Sequence, residues 1–305
     1  MAPPLIAVVG PTAAGKSATA LRLAEAGGGE IVSCDSLQVY RGLDIGSAKA
    51  TPEERALVPH HLLDVVDPSQ DFSAADYARR ARQALAGIRE RGRLAIVAGG
   101  TGLYLRALLE GLFEGPARDE ALRARFERMA ARRGPERLHR LLARVDPEAA
   151  ARIPPRDRVR IVRALEVFVA TGRPLTAHHR DEAVPLTGFS VHVLAIAPPR
   201  DVLRAAVERR TAEMFERGLL DEVRGLLAAG HPPDLRPLRA IGYRQAVEVI
   251  AGRRTEGEAR RDIVVSTMQY AKRQLTWFRH QTAAVWFASA ADALRGAQRI
   301  LDGEA

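Results

Sequence analysis

A glycine-rich octapeptide near the start of the chain has the residue types and spacing needed to bind a phosphate group. Its residues are Gly10, Pro11, Thr12, Ala13, Ala14, Gly15, Lys16 and Ser17. Glycine lets successive backbone N–H groups turn towards an anion at the N-terminus of a helix. In this pattern the lysine reaches the outer phosphates and the hydroxyl holds Mg²⁺. The octapeptide therefore predicts a phosphate-binding loop, with Lys16 and Ser17 as its functional side chains.

The segments on either side of this loop support the prediction. Residues 5–9 form an apolar run typical of a buried strand, and residues 18–26 have helical spacing. A strand, the GxxxxGK[ST] pattern and a helix follow one another in the phosphate loops of α/β proteins. The pattern does not indicate which phosphate ester is bound, and an ordinary glycine-rich turn is the alternative.

Two further polar side chains follow β-like runs of the sequence. Asp35 comes directly after residues 30–34, and Thr101 follows the apolar run 94–98 within a stretch rich in glycine. Ligands of open α/β sheets bind beyond the carboxyl ends of the strands, so we expect both side chains beside the phosphate loop. Asp35 also suits a helix N-cap, and Thr101 a cap in a tight turn. Many phosphate-loop NTPases have a Mg²⁺-supporting carboxylate at such a strand end, where this chain has glycines and a threonine.

The order of the sequence patterns predicts an α/β fold with a parallel-sheet core like that of the P-loop NTPases. Strand and helix patterns alternate over residues 1–115, and a β-like run at 190–197 returns the chain to the sheet. Residues 116–188 show several helical patterns with little strand, so we expect a helical insertion there. Residues 189–305 complete the catalytic core with a mainly helical C-terminal part.

The charge of the chain is strongly positive and concentrated in the insertion. The formal net charge is +9, and residues 116–188 contain 16 arginines against 10 Asp and Glu residues. Such a surplus favours a polyanionic partner, although a solvated basic face is the alternative. Arg156, Arg158, Arg160 and Arg163 cluster around one predicted helix start. This cluster is the sharpest candidate for a nucleic-acid surface.

The composition also excludes several classes of protein. Cys34 is the single cysteine of the chain, which rules out an intramolecular disulfide and a cysteine-based zinc site. No apolar run approaches the ~18 residues of a membrane span. The first strand pattern begins within a few residues of the N-terminus, so we expect no signal peptide. The sequence predicts a cytoplasmic protein without membrane contact, with a monomer as the default state.

Taken together, the motifs resemble one family, the tRNA dimethylallyltransferases, also called tRNA isopentenyl transferases. Besides the phosphate loop, the resemblance rests on segments 35–40, 44–49, 60–64, 99–104, 163–167, 241–245 and 272–279. These segments cover nearly the whole chain in order. Ser17 and Ser47 stand where the family often has threonine, and both keep the hydroxyl.

The resemblance implies transfer of a dimethylallyl group from its diphosphate to the N6 amine of an adenine. In the family, that adenine lies immediately 3′ of the anticodon in tRNAs that read codons beginning with U. The phosphate loop would hold the leaving diphosphate with Mg²⁺ as the cofactor, and no NTP would be hydrolysed. The implied partners are dimethylallyl diphosphate and the tRNA anticodon stem-loop, with the insertion at 116–188 contacting the RNA.

The resemblance also implies roles for individual residues. Asp35 would accept the proton that the amine loses. Lys16 and Thr101 would be further catalytic residues, and Arg210 would clamp the diphosphate. The residues implied to contact tRNA are Asp35, Ser36, Leu37, Gln38, Thr101, Arg123, Val159, Arg160, Ile161, Val162, Arg163, Gly242, Tyr243, Arg244, Gln245, Lys272, Arg273 and Arg279. Tyr243 and Trp277 suit packing in the core equally well.

Three other classes of protein fit parts of this pattern. A phosphate-loop kinase would need a catalytic Mg²⁺ carboxylate and a mobile arginine-bearing lid, which the insertion could imitate. A prenyltransferase that modifies free adenine nucleotides would share the chemistry but would need no basic RNA surface. A non-catalytic RNA-binding module would have no use for the phosphate loop or for Asp35.

Overall fold

The structure, a computed structural model, describes residues 2–113, 115–116 and 118–304. Within these residues, six parallel strands form one sheet in the order β3-β2-β4-β1-β5-β6. The strands are β1 (Pro4–Val9), β2 (Glu30–Cys34), β3 (His60–His61), β4 (Ala95–Gly99), β5 (Ser190–Ile196) and β6 (Val285–Phe287). The sheet therefore has β4 inserted between β1 and β2, and it pairs in parallel with both of them.

Helices connect the strands and build the rest of the described chain. They are α1 (Lys16–Gly27), α2 (Pro52–Leu57), α3 (Ala74–Glu90), α4 (Gly102–Glu110), α5 (Glu120–Arg133), α6 (Pro135–Val145), α7 (Pro147–Arg152), α8 (Arg158–Thr171), α9 (Leu175–Glu182), α10 (Arg200–Glu216), α11 (Leu219–Ala228), α12 (Tyr243–Ile250), α13 (Glu256–Gln281) and α14 (Ala290–Leu301). Before α12, a 3₁₀ turn ends at Arg239, and α12 begins only after Gly242, whose φ is 93°.

The sheet is buried on both faces, which explains the continuous apolar run of its central strand. Side chains of a strand alternate between the two faces of the sheet. Leu5, Ala7 and Val9 accordingly pack into one core with α3, α4 and α11, and Ile6 and Val8 into a second core with α1 and α14. These two cores fix the position of the strand ends at which the polar residues lie.

Two compact units divide the chain. One contains the residues up to Leu109 and from Leu186 onwards, and it includes the whole sheet; the other runs from Glu110 to Pro185. The second unit is helical and has its own core, which includes Phe126, Leu138 and Leu165. In neither unit is a described helix long and apolar enough to cross a membrane.

Candidate active site

The carboxyl ends of three adjacent strands bring the predicted chemistry together. The phosphate loop follows β1, Asp35 follows β2, and Thr101 lies just beyond β4. β4 pairs with both β1 and β2, so Thr101 lies between the other two segments. The expectation that Asp35 and Thr101 lie at the same sheet edge as the phosphate loop matches this geometry.

The backbone of the phosphate loop is shaped by residues with positive φ. These are Gly10 (139°), Ala13 (63°) and Gly15 (87°). A Cβ atom on Gly10 would lie 2.3 Å from the carbonyl oxygen of Ile196, so only glycine fits there. Gly15 begins α1 with no side-chain cap. The first N–H groups of α1 are therefore open to an anion, as a phosphate site requires.

Two cations face the phosphate loop. The Lys16 ammonium donates to the carbonyl oxygen of Pro11 at 2.7 Å. The guanidinium of Arg210 donates from Nη1 to Thr12 Oγ1 at 3.0 Å and from Nη2 to the Ser47 carbonyl at 3.3 Å. Arg210, implied by the resemblance as a diphosphate clamp, thus lies on the loop, although it is far away in sequence.

The electrostatics of these two cations also favour an anion. Burial, aided by the Arg210 charge, lowers the pKa of Lys16 to about 8, while Asp35 acts in the opposite direction. Burial likewise lowers the pKa of Arg210, and Asp35 again opposes the shift. The positive charges of Lys16 and Arg210 are therefore only partly balanced by the Asp35 carboxylate. A bound diphosphate would supply the missing negative charge.

Asp35 closes a turn rather than capping a helix. The Leu37 N–H donates to Asp35 Oδ1 at 2.8 Å, and the neighbouring Ser36 N–H donates to Thr101 Oγ1 at 3.1 Å. These bonds hold the Asp35 carboxylate at the end of β2, where it is half-buried. Within the described chain no hydrogen bond engages Asp35 Oδ2. This oxygen is therefore open to accept a proton from a bound substrate.

Gln38 links the turn after β2 to a neighbouring loop. Its Oε1 accepts from Ser33 Oγ at 2.8 Å, and its Nε2 donates to the carbonyl oxygens of Ser47 (3.3 Å) and Ala48 (3.1 Å). The side chain is consequently fixed in place. Contact of Gln38 with a substrate base remains a prediction.

Gln274 is a site residue that sequence reasoning missed. Its Oε1 accepts from the Thr12 N–H at 3.0 Å, and its Nε2 donates to the Gly100 carbonyl at 2.8 Å. The side chain, 6% exposed, thus joins the phosphate loop to the end of β4. In the sequence, Gln274 is a polar residue between the apolar residues Ala271 and Phe278, which could have indicated a buried polar contact. The charged residues of segment 272–279 indicated an RNA surface instead.

The aromatic residues left open by the sequence pack inside the sheet unit. Tyr243 is fully buried, and its hydroxyl donates to Glu222 Oε1 at 2.8 Å. Trp277 lies so close to Gly102 that a Cβ atom there would be 2.2 Å from the ring, and it packs edge-on against Phe278. We therefore assign the Tyr243 ring a packing role, and the half-buried Trp277 ring a packing role on the side that faces Gly102 and Phe278. The choice between packing and RNA stacking could not be made from residue type alone.

The remaining predicted RNA contacts of this unit differ in exposure. Gly242 and Gln245 are buried, and the Gly242 N–H donates to Gln245 Oε1 at 2.9 Å, so we assign the Gln245 side chain a structural role. Arg244 is exposed beside them. Of the predicted residues on α13, Lys272, Arg273 and Arg279 are exposed, and the last two lie over the rings of Tyr270 and Trp286 at 5.6 Å.

In the helical unit, two predicted RNA-binding arginines are held by a buried carboxylate. Arg123 makes two bonds of 2.8 Å to Glu166, and Arg163 makes one of 2.9 Å. Burial raises the pKa of Glu166, but the bonds from Arg123 and Arg163 outweigh it and hold the pKa at about 2. The primary role visible for these arginines is thus to neutralise Glu166.

The predicted basic cluster at the start of α8 is largely compensated by acidic neighbours. Arg158 pairs with Glu127, and Arg160 pairs with Asp157. Ile161 (0% exposed) and Val162 (4%) lie in the core of this unit, so their side chains pack and do not face solvent. Val159, in contrast, is 78% exposed. The prediction of RNA contact by segment 159–163 therefore stays with Val159, Arg160 and Arg163.

The fold and the site define a class of enzyme. A parallel sheet carries a phosphate loop after its first strand, two cations lie on that loop, and a carboxylate with an open oxygen lies at a nearby strand end. This is a phosphate-loop α/β enzyme that acts on a phosphate ester. The model of the IPP transferase family matches residues 38–281, and the chain belongs to that family.

Individual relatives agree with this assignment. A tRNA dimethylallyltransferase of Myxococcus xanthus is 51% identical over 286 residues, which cover 94% of this chain and 92% of the relative. The full-length tRNA isopentenylpyrophosphate transferase of Bacillus halodurans, a solved structure, is 38% identical with a TM-score of 0.71, covering 99% of this chain and 96% of the other. A eukaryotic dimethylallyltransferase acting on tRNA, with a TM-score of 0.78 and 23% identity over 99% and 80% of the two chains, shows the same fold. The family and the α/β fold class inferred from the motifs are confirmed.

Proposed function

We propose that this enzyme transfers a dimethylallyl group from dimethylallyl diphosphate to the N6 amine of the adenine immediately 3′ of the anticodon, in tRNAs that read codons beginning with U. Diphosphate is released. The observation that carries the proposal is the placement of a diphosphate-binding loop and an open carboxylate oxygen at one sheet edge, in a member of the IPP transferase family.

The reaction forms one bond and breaks another at the same carbon atom. The N6 nitrogen attacks the allylic carbon, and the bond from that carbon to the diphosphate oxygen breaks, with its electron pair leaving on the diphosphate. The N6 lone pair is delocalised into the ring, so the amine becomes a good nucleophile only as it loses a proton. Asp35 Oδ2 accepts that proton as general base. Thr101 orients the turn that carries Asp35, through its bond to the Ser36 N–H.

The leaving diphosphate gains negative charge as the carbon–oxygen bond breaks. The N–H groups at the start of α1, the Lys16 ammonium and the Arg210 guanidinium meet that charge. These donors are already fixed by the loop before the reaction, so they need little reorganisation. Arginine adds two parallel donors suited to phosphate oxygens.

Mg²⁺ fits the residues at the start of α1. Ser17 is exposed directly after Lys16, and no hydrogen bond within the described chain occupies its hydroxyl. Mg²⁺ commonly binds one or two protein oxygens and completes its shell with phosphate oxygens and water. Ser17 would hold the ion against the diphosphate, where the ion would neutralise charge on the leaving group.

The acceptor is proposed from the relatives and from the distribution of charge. Arg125, Arg128 and Arg132 lie on one side of α5, and Arg137, Arg140 and Arg144 have the same spacing on α6. We call these six residues the arginine stripe. No ion pair engages any of them among the described residues, and all except the half-buried Arg137 are exposed. Such uncompensated charge suits an RNA backbone, whereas a free nucleotide would need no such surface.

The target adenine must also be able to reach the Asp35 carboxylate. An adenine in the anticodon loop is stacked, so it must leave the stack to reach the carboxylate. Single-stranded loops of RNA are the usual targets of such recognition because their bases can be splayed out. We propose that Lys272, Arg273 and Arg279 hold the RNA loop, and that the side chains of segment 35–38 hold the base.

The test is direct. The purified protein is incubated with Mg²⁺, dimethylallyl diphosphate and unmodified tRNA, and the nucleosides are analysed by mass spectrometry. We expect a dimethylallyl adduct on the adenosine 3′ of the anticodon. Prenylation of AMP, ADP or ATP with unmodified tRNA would show that the acceptor is wrong. Phosphoryl transfer from ATP without prenyl transfer would overturn the proposal.

A further inference from the structure

Glu222 on α11 accepts an unusual number of hydrogen bonds from one short loop. Its Oε2 accepts from the N–H groups of Asp44 (2.9 Å) and Ile45 (2.6 Å), and its Oε1 accepts from the Gly46 N–H at 3.2 Å. The Tyr243 hydroxyl donates to Oε1 as well, at 2.8 Å. All four partners are donors, so the carboxylate form of Glu222 is required. None of the motifs in the sequence singled out this residue.

The loop held by Glu222 is fixed from its other side by close packing. Gly46 lies against the Tyr243 ring, and a Cβ atom on Gly46 would be 2.4 Å from the ring carbon that bears the hydroxyl. The Tyr243 ring is fully buried, so it cannot give way. Ser47 is buried as well, and its hydroxyl donates to the Leu43 carbonyl at 2.6 Å. The loop 44–48 consequently has little freedom to shift.

The same loop presents two carbonyl groups to the proposed active site. The Ser47 carbonyl accepts from Arg210 Nη2 at 3.3 Å, and Arg210 Nη1 in turn donates to Thr12 on the phosphate loop at 3.0 Å. The carbonyls of Ser47 and Ala48 also accept from the Gln38 amide. Glu222 therefore stands at the start of a continuous chain of hydrogen bonds that ends at the phosphate loop.

We infer that Glu222 is a positioning residue for the diphosphate site, which acts by holding loop 44–48 so that the Ser47 carbonyl aims the Arg210 guanidinium at the leaving group. Glu222 touches no substrate in this account. The inference rests on the proposed function for its effect on the reaction, but its effect on binding inorganic diphosphate does not require prenyl transfer. A purely structural Glu222 would stabilise the fold without a specific effect on that anion.

Glu222→Gln is the sharpest variant because it keeps the shape of the side chain. Whichever way the amide is turned, its NH₂ group faces at least one backbone N–H of the loop, because the carboxylate oxygens accept from backbone N–H groups on both sides. We expect affinity for inorganic diphosphate in the presence of Mg²⁺, measured by calorimetry, to fall about tenfold, the size of coupling seen between residues of one network. Asp221→Asn, an exposed change at the adjacent residue, is the matched control and should bind as the wild type does.

Repeating Glu222→Gln in an Arg210→Ala variant distinguishes positioning of Arg210 from a general effect on stability. In Arg210→Ala the group to be positioned is absent, so adding Glu222→Gln should weaken diphosphate binding by less than about twofold more. An equal tenfold loss in both backgrounds, or undiminished affinity of Glu222→Gln in the wild-type background, would overturn the inference. If Glu222→Gln proves unfolded by thermal melting, Tyr243→Phe replaces it, because it removes one donor only; full affinity of that folded variant for diphosphate would then overturn the inference.

The activity assay distinguishes the two proposals. If the wild type transfers no prenyl group to any acceptor, the proposed function fails, whereas the calorimetric test of Glu222 stands by itself. If the wild type is active, Glu222→Gln should lower kcat/KM for dimethylallyl diphosphate and leave the Kd for tRNA unchanged. A loss confined to tRNA affinity would contradict the inference while the proposed function survives.

Discussion

Thr12 and Gln274 are separated by 262 positions in the chain, yet the Thr12 N–H donates to Gln274 Oε1 at 3.0 Å. The same amide donates to the Gly100 carbonyl at the end of β4. One side chain of α13 therefore fixes the distance between the phosphate loop and the strand end that leads to Thr101. In the proposed reaction, this bridge would set the relative placement of the donor and acceptor substrates.

Replacing Gln274 by methionine keeps the volume of the side chain and removes both hydrogen bonds. The Thr12 N–H and the Gly100 carbonyl then lose their partners, and we expect a loss of about 2 kcal/mol in the free energy of unfolding. We also expect kcat for prenyl transfer to fall about tenfold because a small displacement of a reacting group is costly. Urea unfolding and steady-state kinetics measure the two effects. The exposed Gln298→Met on α14 is the control, and equal behaviour of the two variants would contradict the role of the bridge.

Replacing Asp35 by asparagine tests the general base. Asparagine can still accept from the Leu37 N–H, so the turn is kept while the proton acceptor is lost. We expect kcat to fall by about 10²–10⁴-fold, the usual contribution of a positioned base. Affinities for inorganic diphosphate and for tRNA should change little, which filter binding and calorimetry can check. Near-wild-type turnover would rule Asp35 out as the base.

The lowered pKa of Lys16 predicts the pH dependence of donor use. Burial and the Arg210 charge hold this pKa at about 8, so the free enzyme loses the cation as the pH rises through 8. We expect kcat/KM for dimethylallyl diphosphate to fall about tenfold per pH unit above that value, because kcat/KM reports groups of the free enzyme. Lys16→Arg keeps its charge over this range and should abolish the fall. A wild-type profile that stays flat to pH 10 would be inconsistent with the assigned ligand.

Replacing Arg123 by alanine should mainly lower the stability of the fold, and not only the affinity for RNA. The change removes two bonds from buried Glu166, and we expect the free energy of unfolding to fall by about 2 kcal/mol at pH 7. Because the pKa of Glu166 is about 2, lowered from 4.5, this ion pair contributes fully above pH 4.5 and is lost as the pH falls through 2. The difference between wild type and variant should therefore shrink below pH 3. Urea titrations at several pH values measure it, with the exposed Arg125→Ala as control; equal stability of the two variants would contradict this role.

The arginine stripe should dominate the electrostatic part of RNA binding. Replacing its three α5 members by glutamine should reduce the slope of log Kd against log salt by about 2 to 3, because each cation that meets a phosphate contributes about 0.7 to 0.9 to that slope. The matched control replaces Arg118, Arg152 and Arg173, which are all ion-paired. Their replacement should alter the slope less. A larger change in the control would show that ion pairing does not decide which arginines meet the RNA.

Local patterns in the sequence were sufficient to predict the architecture and the centre of the site. The phosphate loop is recognisable because a strand, glycines and a helix lie next to one another in the chain, and Asp35 follows a strand directly. Hydrophobic periodicity therefore placed both at one sheet edge. The long-range partners were beyond this reasoning. Gln274 and Glu222 resemble ordinary helix residues until packing brings them to loops far away in sequence.

The distribution of charge along the sequence predicted the proposed RNA surface less well than the motifs predicted the phosphate loop. The cluster around the start of α8 looked basic because neighbouring residues were counted along the chain, whereas Glu127 is distant in sequence and lies beside Arg158 in space. The six residues of the arginine stripe, on α5 and α6, make no ion pair among the described residues. Net charge along a sequence does not indicate which charges are paired, because some partners are local, as Asp157 is for Arg160, and others are tertiary neighbours, as Glu127 is for Arg158.

The junction of the helical unit has a consequence for the order of folding. The Leu186 N–H donates to the Leu109 carbonyl at 2.8 Å, so the chain leaves the sheet unit and returns to it at one point. β5 pairs with β1 across the whole intervening sequence, and closing so long a flexible loop costs conformational entropy. If the helical unit forms first, it brings its two ends together and shortens that loop. Its early formation would then remove residues 110–185 from the loop that the pairing of β1 with β5 must close, and would speed assembly of the sheet.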